Sequence, residues 1–130
     1  MSHPFRAAVE ARDADAMAAL LAEDALLHSP VAFRPFAGRA AIRELFGVLL
    51  ETFDDFRYVD ELEGDGTHAL IFRARVGDRQ VEGLDHLRLG PDGRITDFTV
   101  MVRPLSAAIA LAEAVGPRVG HLPKAPAQRC

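Results

Sequence analysis

The chain has 130 residues, 49% hydrophobic and 26% charged, which is the length of one domain with enough apolar content for a core without disulfides or metals. Its net charge of −4 is uneven, because the segment after Gly116 holds three basic residues (Arg118, Lys124, Arg129) and no acidic one, leaving 12 basic against 19 acidic residues before it. A body that acidic offers no electrostatic footprint for nucleic acid, and no apolar run approaches the ~20 residues that span a bilayer, so neither is an expected partner.

The opening MSHPFRAAVEARD lacks the apolar segment of a signal peptide, and the single cysteine, Cys130, has no internal partner. A reduced, cytoplasmic setting is expected. Residues 3 to about 11 read as helix, with Phe5, Ala8 and Val9 at helical spacing. Asp13 or Asp15 can cap a second short helix through Leu21. Glu23-Asp24 ends that unit, and residues 25–28 read as a short strand stopped by Ser29-Pro30. Residues 31–38, VAFRPFAG, are expected to lie extended or irregular over an apolar surface. Gly38 opens the longest expected helix, residues 39 to about 53, with Ala41, Ile42, Leu45, Phe46, Leu49, Leu50 and Phe53 on one stripe. Asp54-Asp55 then reads as a solvated helix end.

From Phe56 the texture is that of strands. Residues 56–62 and 68–76 flank the turn Glu63-Gly64-Asp65-Gly66, and Gly77-Asp78 reads as a two-residue hairpin loop. That loop fixes a register by counting: Ala74 faces Val81, Phe72 faces Gly83, Leu70 faces Asp85 and His68 faces Leu87. On the other face Arg73 meets Glu82 and Ile71 meets Leu84, and these are favourable cross-strand neighbours. After Gly90-Pro91-Asp92-Gly93, a four-residue loop puts Phe98 opposite Asp85 and Asp97 opposite His86, while Ile95 hints at a bulge that would shift this. Pro104 ends the strand. A last helix over residues 105 to about 115 stops at Gly116-Pro117, so that residues 1–116 form a single domain and 117–130 a loosely ordered proline-rich tail.

Within the strand after Gly77-Asp78, Val81, Gly83, Asp85, Leu87 and Leu89 share one face, and only Asp85 is unsuited to a core. A buried carboxylate needs a partner or a raised pKa. Asp85 is therefore either a functional group or a structural aspartate bonded to nearby backbone or arginine. His28 follows an apolar run and is either an imidazole partner of Asp85 or a strand-end histidine at the surface or satisfied in the core. His86 points away from Asp85, and His68 belongs at an edge. No H-x-H, HExxH or cysteine cluster is present, so neither a metal nor an organic cofactor is expected.

His28-Ser29-Pro30, Gly38-Arg39-Ala40-Ala41-Ile42, Glu82-Gly83-Leu84-Asp85, Pro91-Asp92-Gly93-Arg94-Ile95 and Val100-Met101-Val102-Arg103-Pro104 carry a family pattern across residues 3–116. On these residues the chain resembles the SnoaL-like branch of the nuclear transport factor 2-like (NTF2-like) superfamily. The resemblance implies an α+β NTF2-like cone: a curved, antiparallel/mixed sheet wrapped around a long helix, with further helices at the N-terminus. It implies a pocket for an apolar small-molecule ligand and a homodimer through the convex sheet face. Asp85 matches the strand aspartate that the cyclases of the family point into the pocket as an acid/base group. Isomerases of this fold hold their base where this chain has His28-Ser29-Pro30, without a carboxylate, and their tyrosine lies in the first helix, whereas Tyr58 is the only tyrosine here. Epoxide hydrolases of the fold use an Asp-Arg-Asp set, of which Asp85 and Arg103 could supply two.

The expected catalytic residues are Asp85 and His28. Phe33, Phe36, Phe46, Tyr58, Phe72, Phe98 and Arg103 are the expected ligand contacts. The reading is a small-molecule pocket protein in which Asp85 acts as general acid/base on an apolar carbonyl compound, in a cofactor-independent cyclisation or isomerisation. The alternatives are a non-catalytic binding module and a dimerisation domain whose cone is filled by its own phenylalanines.

Overall fold

The structure is a computed structural model and describes residues 2–126. α1 (Pro4–Glu10) and α2 (Ala14–Ala19) lead into β1 (Leu21–His28), followed by β2 (Phe36–Ala37) and α3 (Arg39–Thr52). A meander of β3 (Asp54–Glu63), β4 (Thr67–Val76), β5 (Arg79–Leu89) and β6 (Ile95–Arg103) runs into α4 (Leu105–Val119). The strands form one sheet in the order β2-β1-β6-β5-β4-β3, in which β1 and β6 are parallel and the other neighbours antiparallel. This is an α+β cone: α3 packs on β1, α4 on β4 to β6, and both close the concave face.

Local chemistry sets the helix starts. His3 Nδ1 accepts the Phe5 N–H at 3.1 Å, with Pro4 in the first turn, and Asp13 Oδ1 accepts the Ala16 N–H at 3.0 Å. α3 starts from Gly38, whose φ of 96° suits glycine and whose N–H reaches Ala25 O at 2.9 Å. Its Ala41, Ile42, Leu45 and Phe46 are buried, the stripe the periodicity predicts.

Several boundaries differ from expectation. α2 stops at Ala19, because Leu21 already pairs with Ile95 on β6 and its carbonyl accepts Arg39 at 2.8 Å. Glu23 and Asp24 therefore lie inside β1, in the irregular stretch between Leu21 and Leu26, rather than ending a helical unit. Asp54 and Asp55 belong to β3. Asp55 sits at φ 54° and accepts from Arg75 at 3.0 Å, so it is a paired strand residue and not a helix end.

The β4–β5 register is the one counted from Gly77-Asp78, including Leu70 opposite Asp85 and Phe72 opposite Gly83. The β5–β6 register is not. Val100, rather than Phe98, faces Asp85, and Thr99, rather than Asp97, faces His86. Leu89 pairs with Ile95, so Arg94 joins the loop, and an irregularity between Arg88 and Leu89 then leaves Thr96 unmatched. Two added residues restore the original phase, so Phe98 and Val100 still face inward.

α4 does not stop at Gly116-Pro117 but runs to Val119 and, at 15 residues, is one longer than α3. Buried Val119 and Leu122 hold it down, and Arg118–Glu51 (2.8 Å) and His121–Glu44 (3.2 Å) tie it to α3. The segment expected to be a loose tail bonds to the residues before α3 as far as Ala125. Ala37 donates to Pro123 O at 3.0 Å, Ala125 donates to Pro35 O at 2.9 Å, and Lys124 bridges to Phe36. Residues 127–130 lie outside the described residues. Among the described residues no helix is long and apolar enough to cross a membrane.

Candidate active site

Between α1, α3, α4 and the concave sheet lies a cavity of about 200 Å³. Two aromatic sets wall it. Phe5, Phe46 and Phe98 pack edge-on or tilted with centroids 5.0–5.6 Å apart. Phe56 stacks on Phe72 at 4.7 Å, with Phe53 and Tyr58 against that pair. Gly83 makes the second set possible, because a β-carbon there would fall inside the Phe72 ring and 2.9 Å from Met101 O.

Asp85 is 6% exposed in this apolar wall, and the Tyr58 hydroxyl donates to its Oδ2 at 2.7 Å. Burial pushes its carboxyl from 3.8 up to about 7, against the downward pull of the Tyr58 hydrogen bond. The Tyr58 hydroxyl is itself shifted upward, first by burial and then by the neighbouring Asp85 charge, so it remains a donor at neutral pH. Among the described residues Tyr58 is the hydrogen-bond partner of this carboxyl, and Oδ1 has none. A proton carried by Asp85 therefore sits on Oδ1. Near neutral pH the group is shared between its two protonation states, the condition in which a carboxyl can both take and return a proton.

Phe36, Phe46, Tyr58, Phe72 and Phe98 all line the cavity, together with Asp85. His28, Phe33 and Arg103 do not, and those three assignments are corrected. Leu27 turns inward and is buried, so alternation along β1 sends His28 to the convex face beside Thr99. Phe33 is 76% exposed on the irregular segment between β1 and β2. Arg103 lies on the convex face and pairs with Glu82 at 3.2 Å. His68 is no edge residue either: its ring meets His3 at 4.9 Å and its Nδ1 is buried, with no partner among the described residues.

Lining residues that the sequence reading did not name as contacts include Ser29, Phe5, Phe53, Phe56 and the α4 residues Leu111, Val115 and Val119. The apolar spacing of α4 was visible, but its side of the cone was not. Tyr58 was expected only as a ligand contact. Its bond to Asp85 depends on irregularities in β3 between Asp54 and Arg57 and between Tyr58 and Asp60, which defeat counting. Among the described residues no group of three or more His, Cys, Asp or Glu side chains could hold a metal ion.

The α+β cone thus carries a buried carboxyl, Asp85, in the wall of an apolar cavity. The SnoaL-like domain family matches residues 3–98, and the chain belongs to that family. It is 33% identical over 93 residues to a steroid Delta-isomerase of Nocardioides simplex, spanning 68% of this chain and 76% of that protein. A steroid delta-isomerase from Pseudomonas aeruginosa superposes with a TM-score of 0.82 at 40% identity, covering 88% of this chain and 85% of that one. An uncharacterised bacterial protein with a cystatin-like fold from Silicibacter pomeroyi gives 0.84 at 31%, covering 90% and 83%.

Proposed function

We propose that this protein is a cofactor-independent enzyme in which Asp85 moves a proton on a small apolar carbonyl compound, with isomerisation favoured over cyclisation. The carrying observation is the Asp85 carboxyl: buried, raised to about 7, bonded through Oδ2 to Tyr58, and with Oδ1 left to the cavity. Ionised Oδ1 removes a proton from the carbon next to the carbonyl, and the C–H electron pair moves into an enolate. Protonated Oδ1 then returns the proton to the same carbon or, in an unsaturated ketone, to the far end of the conjugated system. The second outcome shifts a double bond with no net change in atoms or electrons. Tyr58 steadies the carboxylate during the step. The likeness to steroid delta-isomerases supports isomerisation as the reaction type.

The test is deuterium exchange at the α-carbon of 2-tetralone in D2O, followed by proton NMR. Wild-type protein should exceed the uncatalysed rate by roughly a hundredfold or more, the usual contribution of a positioned acid/base group. Asp85→Asn should return exchange to background while still binding the ketone. Undiminished exchange in that variant would remove Asp85 from the chemistry. Binding without exchange in the wild type would favour the carrier alternative.

Self-association through the convex face is part of the proposal. Ile71, Leu84 and Met101 stand side by side across β4, β5 and β6, and Met101 is 59% exposed. Such a row on a sheet face without a covering helix suits a two-fold copy of itself.

A further inference from the structure

One polar side chain in the cavity wall has no part in this chemistry. Ser29 follows β1 directly, and because His28 turns outward, Ser29 turns inward and lines the cavity. Its Oγ accepts the N–H groups of Val31 (3.4 Å) and Ala32 (3.1 Å). A hydroxyl has two lone pairs and one proton. Both lone pairs are occupied here, and among the described residues the proton has no acceptor. Ser29 therefore offers the cavity a donor only.

The register also places it relative to Asp85. Leu27 lies beside Phe98 and His28 beside Thr99 in the parallel β1–β6 pair, and continuing that register one residue past the end of β1 sets Ser29 level with Val100. Val100 in turn faces Asp85 across β5–β6. Asp85, Val100 and Ser29 thus form one row across three chain segments. Two strand spacings separate its ends, about 10 Å between backbones, and the inward curl of the sheet brings the side-chain tips closer. The other polar lining groups, Glu10, Arg12 and Arg57, are exposed residues whose side chains bond outside the row. Arg12 donates to Leu50 O at 2.6 Å, Glu10 pairs with Arg6 at 3.4 Å, and Arg57 donates to Asp55 O at 3.0 Å.

We propose that Ser29 is the second polar anchor of the cavity, so that the substrate is a small apolar ketone carrying a second, acceptor oxygen at its far end. This rests on the reading that Asp85 engages the carbon next to the carbonyl. Size points the same way: about 200 Å³ falls below the ~300 Å³ at which pockets for drug-sized ligands begin. A fused bicyclic ketone spans the row from Asp85 to Ser29.

The experiment compares dissociation constants of 2-tetralone and 6-hydroxy-2-tetralone for the wild type, Ser29→Ala, Ser29→Thr and Asp85→Asn. In the wild type the hydroxy compound should bind roughly five- to tenfold tighter, the worth of one net hydrogen bond. Ser29→Ala should abolish that difference and leave 2-tetralone within about twofold, while Ser29→Thr, which keeps the hydroxyl, should retain it. A difference that survives in Ser29→Ala, or that is absent from the wild type, overturns the anchor. Equal weakening of both ligands in Ser29→Ala also overturns it, by making Ser29 a turn residue only. Failure of the carbonyl reading looks different: neither ketone's affinity nor its exchange then responds to Asp85→Asn.

Discussion

Replacing Asp85 by asparagine should make the protein more stable in alkali, and the size of the effect follows from the site. Asn keeps an oxygen that can accept from Tyr58 but carries no charge. The carboxyl is raised from 3.8 to about 7 because its ionised form is expelled from water. That shift of about 3 units is worth roughly 4 kcal/mol between the two protonation states. The folded pKa lies above the unfolded value, so the folded state holds the proton more tightly. Stability from this group is complete below 3.8 and is lost as pH rises through about 7. Between about pH 5 and about pH 8 the wild type should therefore lose roughly 2–3 kcal/mol relative to Asp85→Asn. The assay is urea unfolding of both proteins across that range. His3, whose ring burial and the neighbouring His68 hold below 6.5, contributes an acid-side loss of its own, but it is common to both proteins and cancels. Parallel stability profiles would refute the reasoning, because they would mean that Asp85 is solvated or charge-paired in the folded state.

Tyr58→Phe removes the hydrogen bond that favours the charged carboxylate, so the Asp85 pKa should rise further above about 7. Carboxyl NMR would read this, and an unchanged value would mean that the bond does not form. Gly83→Ala drives a β-carbon into the Phe72 ring and should cost about 1–3 kcal/mol. Thermal unfolding checks the loss, and because Phe72 supports Phe56 and Tyr58, ketone binding should weaken as well. Met101→Glu places a charge in the Ile71–Leu84–Met101 row, and sedimentation should show a monomer where the proposed interface makes the wild type a dimer. A wild type that sediments as a monomer at all concentrations would dispose of the convex-face interface.

Legibility in the sequence followed how local each determinant was. The β4–β5 register was countable because a two-residue loop leaves no freedom, and it sets Asp85 among inward residues. β5–β6 was not countable: Ile95 hints at a bulge, but nothing in the sequence shows that Arg94 joins the loop and that Thr96 is the residue left unmatched. The start of β1 was hidden for a related reason: Leu21 is a strand residue because β6 offers it a partner in Ile95, while its own neighbours read as helix. Pro117 suggested a helix end, yet one missing backbone hydrogen bond is outweighed by buried Val119 and Leu122, the Arg118–Glu51 ion pair and the His121–Glu44 hydrogen bond to α3. His28 and Arg103 could have been set aside from sequence. Each alternates with an apolar residue suited to the inward face, Leu27 in one case and Val102 in the other. Ser29 was passed over because a serine before a proline reads as punctuation, and its free proton appears only once the turn is built.

Direct titration of the Asp85 carboxyl by carbon-detected NMR, assigned against Asp85→Asn, tests the central claim most closely. A midpoint near 7, moving when 2-tetralone binds, is the predicted result. A midpoint at or below 3.8, unaffected by the ketone, would contradict it and leave Asp85 a structural residue.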